Sequence, residues 1–358
     1  MTAFLPRTAF PALTSLPRSY YLGHHAAGLA KMKTILTQID FVIECRDARI
    51  PLTSRNPMFE DLLSGWAKGG RERVIVYTKR DLALEEDMVG KGKEKETHSL
   101  LRTLHAPSPV LFTSSKSARS TSQILSLLRA RSTARQTITG AHAMVVGLPN
   151  VGKSTLLNAL RAGGVKKGKA AITGAQPGVT RKIGTGVKII DSENDGSANS
   201  DVYLLDTPGV FIPYVPDAEA MLKLALCGSV KDTVIPPFTL ADYLLFHVNR
   251  HNPDVYSTYH EPTNSVTDLL NAMAHKIGRL QKGGEIDLDG TAMWMVQRWR
   301  NGHLGRFGLD VVDADATERY KSGAGEDRVS SLSQARKAGK EAARAKSRAR
   351  KGGVVGDG

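Results

Sequence analysis

At 358 residues, with 41% apolar and 23% charged residues, the chain is long enough for one full-sized soluble domain plus a smaller partner and tails. Its net charge of +14 and pI near 9.7 point to a polyanionic partner, either RNA or an anionic membrane surface. No apolar run approaches the ~20 residues of a membrane-spanning helix, which leaves only peripheral membrane contact, and two distant cysteines, Cys45 and Cys227, exclude a disulfide scaffold.

The first acidic residue is Asp40, preceded by Arg7, Arg18, Lys31 and Lys33. An acid-free, Arg- and Ser-bearing start reads as a mitochondrial import segment over residues 1–19, although Pro6, Pro11 and Pro17 interrupt an amphipathic helix and a plain disordered start is the alternative. From there the hydrophobic pattern predicts a helix over 26–38, a strand over 39–45, a helix over 57–67 and a strand over 73–77. A polar loop is expected over 85–99, followed by strand 109–112, helix 122–130, strand 143–146 and helix 153–162. Two further loops, 163–176 and 191–201, flank strand 186–190, and strand 202–205 closes the series. Strands alternating with helices predict an α/β, doubly wound, mostly parallel sheet over residues 20–214.

Beyond residue 215 the strand signal fades. Helices over 218–226, 239–248, 265–278 and 291–301 predict an α-helical, RNA-binding domain spanning 215–312. Residues 313–358 read as a flexible basic tail, in which 334–351 carries eight Lys/Arg against one Glu. Such a run is either a solvated tail or an arm that becomes helical on RNA.

Gly147-Leu148-Pro149-Asn150-Val151-Gly152-Lys153-Ser154 is a G-x-x-x-x-G-K-S phosphate loop placed between an apolar strand and a helical run. Its glycines let backbone N–H groups turn toward a β-phosphate at a helix N-terminus. Asn150, Val151, Gly152, Lys153, Ser154 and Thr155 are the expected nucleotide contacts; Lys153 reaches the β/γ oxygens and Ser154 ligates Mg2+. Asp206-Thr207-Pro208-Gly209 stands 52 residues after Ser154 at a strand end, so Asp206 is expected to hold Mg2+ through water and Gly209 N–H to sense the γ-phosphate. Thr180, in Pro-Gly-Val-Thr-Arg, is the candidate switch threonine that closes on Mg2+.

The base reader lies upstream. Thr78-Lys79-Arg80-Asp81 follows a strand, and the Asp81 carboxylate can accept bidentately from guanine N1–H and N2–H2, for which adenine has no matching donors. Thr78 stands where N-K-x-D has Asn, which predicts retained guanine specificity with weaker bracing. Ser114-Ser115-Lys116 resembles the S-A-K loop that supports the base through a backbone N–H.

A base reader before the phosphate loop inverts the usual order. Together with the S-A-K-like loop, Thr180 and D-T-P-G, the set resembles the circularly permuted GTPases, and more closely the YlqF/RbgA-type ribosome-assembly GTPases and their mitochondrial relatives. Also similar are Gly23-His24, Asp47-Ala48-Arg49-Ile50-Pro51 with Ser54-Arg55-Asn56-Pro57, and Gly305-Arg306-Phe307-Gly308-Leu309-Asp310. The resemblance covers residues 20–312. It implies GTP hydrolysis coupled to maturation of a large ribosomal subunit, mitochondrial if the import segment is real, with GTP/GDP and rRNA as partners. Where the family shows W-F-P-G-H-M-A-K, this chain has Tyr20-Tyr21-Leu22-Gly23-His24-His25-Ala26-Ala27; the family's catalytic histidine falls on His24, with His25 adjacent. Asn150 resembles the asparagine that ligates K+ in related GTPases.

Val210 follows D-x-x-G where many GTPases place a water-orienting Gln, so turnover by the isolated protein is expected to be slow and His24 is the candidate to orient water. A GTP-dependent RNA-binding scaffold with incidental hydrolysis, and an ATP-using P-loop kinase in which Asp81 is irrelevant, stand beside this reading. So does peripheral contact with the inner mitochondrial membrane, for which no clear amphipathic helix is visible.

Overall fold

A computed structural model describes residues 4–13, 16–17, 23–63, 65–66, 71–83, 88–114, 117–135, 140–166, 168, 186–192, 201–212, 215, 217–279, 281 and 285–322, leaving aside the side chains of 23–24 and 88–91. In chain order the elements are α1 (Gly23–Ile35), β1 (Phe41–Asp47), α2 (Pro57–Leu63), β2 (Glu72–Thr78), α3 (Met88–His105), β3 (Val110–Phe112), α4 (Ala118–Arg135), β4 (Ala141–Gly147), α5 (Lys153–Gly164), β5 (Val187–Ile190) and β6 (Val202–Leu205). Then follow α6 (Ala218–Leu226), α7 (Pro237–His251), α8 (Val266–Ile277), α9 (Leu288–Arg300) and α10 (Ala314–Ser322).

The six strands run β3-β2-β1-β4-β6-β5, all parallel except the β5–β6 pair. The chain winds outward from β1 to β3, returns to β4 beside β1, and winds outward the other way. The topological switch point therefore lies between β1 and β4, where doubly wound sheets open a ligand crevice at the strands' carboxyl ends. Register sets what reaches that edge: Asp47 pairs with Thr78, and Cys45 with Gly147.

Both faces of the sheet are covered, as parallel strands require. Phe41, Ile43 and Cys45 point toward α4 and α5 in a core that runs without a break into α6–α9, while Val42 packs with Met32, Leu36 and Phe59 under α1 and α2. The helical module thus shares the sheet's core. Burial pushes the Cys45 and Cys227 thiols up to about 12, so both free cysteines are inert apolar residues. Among the described residues no helix is long and apolar enough to cross a membrane.

Two expectations are corrected. Residues 85–99, expected as a polar loop, lie largely in α3. Its Lys/Glu run is the solvent side of an amphipathic helix whose other side buries Leu101 and stacks His98 on Phe112 at 3.5 Å. The tail expected to be flexible from 313 begins instead with α10. Asp313 accepts from Ala316 N–H at 2.7 Å as an N-cap, and Tyr320 accepts from Arg46 Nη1 at 2.5 Å while lying beneath Arg55. That phenol closes a buried network in which Glu44 accepts from Arg46 at 2.6 Å and Arg73 bridges Glu44 and Glu60. The phenol adds a hydrogen-bond acceptor for the buried Arg46 guanidinium, and α10 also packs on α3.

The segment read as an import signal packs on α7. Arg7 pairs with Asp242 at 2.7 Å, Phe10 meets Tyr243 edge-on at 5.1 Å, and Asn264 donates to the Leu5 carbonyl at 2.9 Å.

Burial first, then nearby guanidinium groups for His105 and Lys223 for His247, hold these two imidazoles at about 3. A base with a depressed folded pKa takes up its proton in the unfolded chain first, near pH 6.5. Stability is therefore expected to fall on acidification from about pH 6.5, by up to about 1.4 kcal/mol per pH unit for each histidine. Urea midpoints measured at pH 7 and pH 5 check this, and equal midpoints would contradict it.

Candidate functional site

The ends of β1, β2, β4 and β6 and the loops that follow them meet at one edge of the sheet. The phosphate loop leaves β4 through Gly147, where a Cβ would come within 2.5 Å of the Cys45 carbonyl oxygen, so only glycine fits there. Asn150 (φ 57°) and Gly152 (φ 95°) take left-handed conformations that turn the loop around its centre and start α5. Lys153 is buried and donates to the Leu148 carbonyl at 2.7 Å. Burial lowers its pKa to about 8 despite the nearby Asp206, a cost that an incoming polyphosphate would relieve.

Ser154 donates to Asp206 Oδ2 at 2.7 Å, so the loop and the aspartate after β6 meet as expected. Asp206 Oδ1 is buried with no hydrogen-bond partner among the described residues. A hydroxyl beside an under-satisfied carboxylate is a hard-oxygen pair that suits Mg2+, which takes its remaining ligands from water and phosphate. Gly209 lies against the phosphate loop: a Cβ there would stand 2.6 Å from Pro149 Cα and 3.1 Å from Lys153 Nζ. Gly209→Ala is expected to retain GDP within a few-fold but to slow GTP turnover by roughly tenfold or more, by displacing one backbone donor. Single-turnover kinetics check it, and unchanged turnover would refute this placement.

The segment expected to read the base meets the phosphate loop directly. Thr78 donates its hydroxyl to the Val151 carbonyl and lies 3.0 Å from the Arg46 carbonyl, so threonine braces this junction in the Asn position. Lys79, left-handed at φ 56°, donates to the Asn150 carbonyl at 2.6 Å and to Asp47 Oδ2 at 2.9 Å. Asp81 sits in the short 3-10 turn Arg80–Leu82 that follows. Ser114 is buried beside it, where the Thr113 carbonyl accepts from Arg80 N–H at 3.1 Å. Ser115, Lys116 and Thr180 lie outside the described residues.

Val210 is wholly buried under α1, with its carbonyl accepting from Asn56 at 2.8 Å, so it faces away from the crevice. His25 is buried too, and its Nδ1 accepts from Phe211 N–H at 2.9 Å. The two adjacent histidines thus separate: His25 anchors α1 to the segment after D-x-x-G, and His24 is its neighbour in α1. Gly28 of the same helix faces Pro208. His24's side chain lies outside the described residues.

Sequence reasoning missed a clasp between the crevice and the helical module. Asp47 holds Arg49 through Nε at 3.0 Å and Nη2 at 2.8 Å. Burial would raise Asp47, but Arg49 and Lys79 hold it well below the ordinary carboxylate range. Arg49 lies 4.8 Å over the Trp299 ring of α9 and reaches the Cys227 carbonyl at 3.4 Å. The Asn150 side-chain amide donates to the Gly228 carbonyl at 2.8 Å, just beyond α6. Leu309 N–H donates to the Arg49 carbonyl at 2.7 Å, and Asp310 accepts from the Leu52 and Thr53 N–H groups at 2.9 and 2.8 Å. Two motifs some 260 residues apart in sequence are therefore one joint, whose visible signal was only that both recur in the same family.

Residues 142–276 match the model of a family described as 50S ribosome-binding GTPase, a segment that starts at β4 and leaves the base reader upstream. Mitochondrial GTPase 1 of Schizosaccharomyces pombe is 36% identical over 324 residues, covering 87% of this chain and 94% of that protein. Mitochondrial ribosome-associated GTPase 1 of Xenopus tropicalis is 33% identical over 310 residues, covering 81% and 94%. The crystal structure of GNP-bound YlqF from T. maritima aligns over 78% of this chain and 96% of its own, with 23% identity and a TM-score of 0.49.

Proposed function

The chain belongs to the mitochondrial GTPase 1 family, and on that premise we propose that this GTPase is an assembly factor for the large subunit of the mitochondrial ribosome. It binds the subunit and its rRNA in the GTP state, leaves on hydrolysis, and so supports mitochondrial translation from the matrix. The observation that carries this reading is the clasp: Asn150 of the phosphate loop and Lys79 of the base reader are tied to the helical module through Gly228 and, by way of Asp47 and Arg49, through Cys227 and Trp299. A change at the nucleotide has a short physical route to the surface that would meet rRNA.

In the proposed reaction Asp81 selects guanine and Lys153 draws the β/γ oxygens into place. Gly209 N–H faces the γ-phosphate, and His24, carried on α1 beside residues 208–211, orients the attacking water. Ser154 and Asp206, with Thr180, would hold Mg2+, which would supply positive charge for phosphoryl transfer. Val210 offers no group to water, so the subunit is expected to bring His24 into register and accelerate a slow reaction. Asn150 Oδ1 is the proposed ligand for K+.

The test compares large-subunit intermediates in mitochondria carrying wild-type protein or the His24→Ala or Thr180→Ala variant. Accumulation of a late particle with the variant still bound is expected. Normal maturation with a variant that binds but does not hydrolyse GTP would leave only a GTP-dependent RNA-binding scaffold.

A further inference from the structure

The outer side of the helical module carries a ladder of alternating cations and aromatic rings. Lys276, near the end of α8, stands 5.3 Å over the ring of Tyr259 and donates to the Thr258 carbonyl. Tyr259 meets Trp294 of α9 edge-on, with centroids 5.9 Å apart and planes at 83°. Arg298, one turn further along α9, lies 5.5 Å over the Trp294 ring. Lys276 is exposed, and Tyr259, Trp294 and Arg298 are partly exposed. Both rings are also rooted in the continuous core, packed against its buried residues. Their outward edges are therefore held rigid without a ligand.

We propose that this ladder is a docking platform for a single-stranded segment of RNA. The inference rests on the ribosomal reading above and deepens it by naming the surface and the form of nucleic acid. Single-stranded RNA exposes base faces that stack on aromatic rings and on arginine guanidinium planes, with phosphates that pair with nearby cations. Trp294 with Arg298 forms a two-tier stack that a base can extend, and Tyr259 with Lys276 repeats the pair alongside it. Duplex RNA hides its base faces and would meet only the two cations. A lipid surface would ask for protruding aliphatic or aromatic groups, but the large hydrophobic residues exposed among the described residues, Leu5, Phe238 and Val311, lie elsewhere. Lys276 and Arg298 would serve either polyanion, so the rings decide between them.

The test uses the full chain and a fluorescein-labelled 12-nucleotide pyrimidine RNA, as a single strand and as a duplex, read by anisotropy over a salt series. Trp294→Ala is expected to weaken single-strand binding about tenfold, within the range of one lost base stack, with duplex binding and salt slope unchanged. Trp294→Phe should recover most of the loss. Arg298→Gln should lower the salt slope by about one. Basal GTP turnover and melting temperature report whether each variant is folded. Equal binding of single strand and duplex by Trp294→Ala and wild type would overturn the platform and leave the ribosomal reading standing. So would a loss on Trp294→Ala seen only with phosphatidylglycerol vesicles, titrated in parallel with the two RNAs. Wild-type protein that binds neither RNA would overturn the platform as well; GTP turnover with the large subunit then decides the ribosomal reading separately.

Discussion

Arg49→Ala is expected to destabilise the protein by about 3–5 kcal/mol, because it strips a buried carboxylate of its bidentate partner. Arg49 and Asp47 are each 1% exposed, so water does not replace the lost guanidinium. The same change removes the cation over Trp299 and the donor to the Cys227 carbonyl. In a chain of this size the loss corresponds to a melting temperature lower by on the order of 10 °C. Arg49→Lys should recover little, since an ammonium cannot match the two-point geometry. Asp47 also serves Lys79, so nucleotide should leave faster; the release rate of a fluorescent GDP analogue reads that directly. The sign with pH is fixed as well. Asp47 has a depressed folded pKa, so its contribution is present above the unfolded value near 4 and is lost as pH falls below it. The gap between wild type and Arg49→Ala should therefore narrow below about pH 4. Unchanged stability at pH 7 would show that the clasp carries no weight, and a gap that stays constant with pH would show that the Asp47 carboxylate is not what Arg49 stabilises.

Asp81→Asn is expected to invert base preference. The carboxylate offers two acceptors to two guanine donors, whereas asparagine presents one acceptor and one donor. Losing a charge-assisted pair of this kind costs about 3–5 kcal/mol, so GDP affinity should drop by roughly 10²–10⁴-fold. Xanthine carries a carbonyl at C2 in place of the amine, and that oxygen can accept from the new amide, so xanthosine diphosphate should gain. Competition against a labelled guanine nucleotide measures both. If the variant holds GDP as wild type does, or if ATP displaces GDP from wild type as well as GTP does, Asp81 is not the reader.

The parts of the site that read clearly from sequence are those set by local backbone chemistry. The phosphate loop follows a strand and precedes a helix, and Asp206 follows a strand at the spacing that brings it to Ser154. What escaped depends on how distant segments pack. Nothing local marks Asn150 as the partner of Gly228, or Asp310 as the acceptor for the turn at Leu52 and Thr53. Nor does anything local mark His25 as the acceptor for the Phe211 N–H, 186 residues away. Residues 88–99 looked like loop because their Lys/Glu run masks an apolar side only the sheet can reveal. α10 was hidden for a related reason: one phenol, Tyr320, docks it against a buried arginine. Tyrosine in a polar tail carries no pattern of its own.

GTP turnover by the full chain, alone and with the large mitochondrial ribosomal subunit, in K+ and in Na+, tests the central claim most directly. Slow turnover alone is expected, rising at least about tenfold with the subunit, equivalent to ~1.4 kcal/mol off the barrier, and more in K+ than in Na+. Turnover that the subunit leaves unchanged in both salts would contradict a GTPase whose chemistry is completed on the particle it assembles.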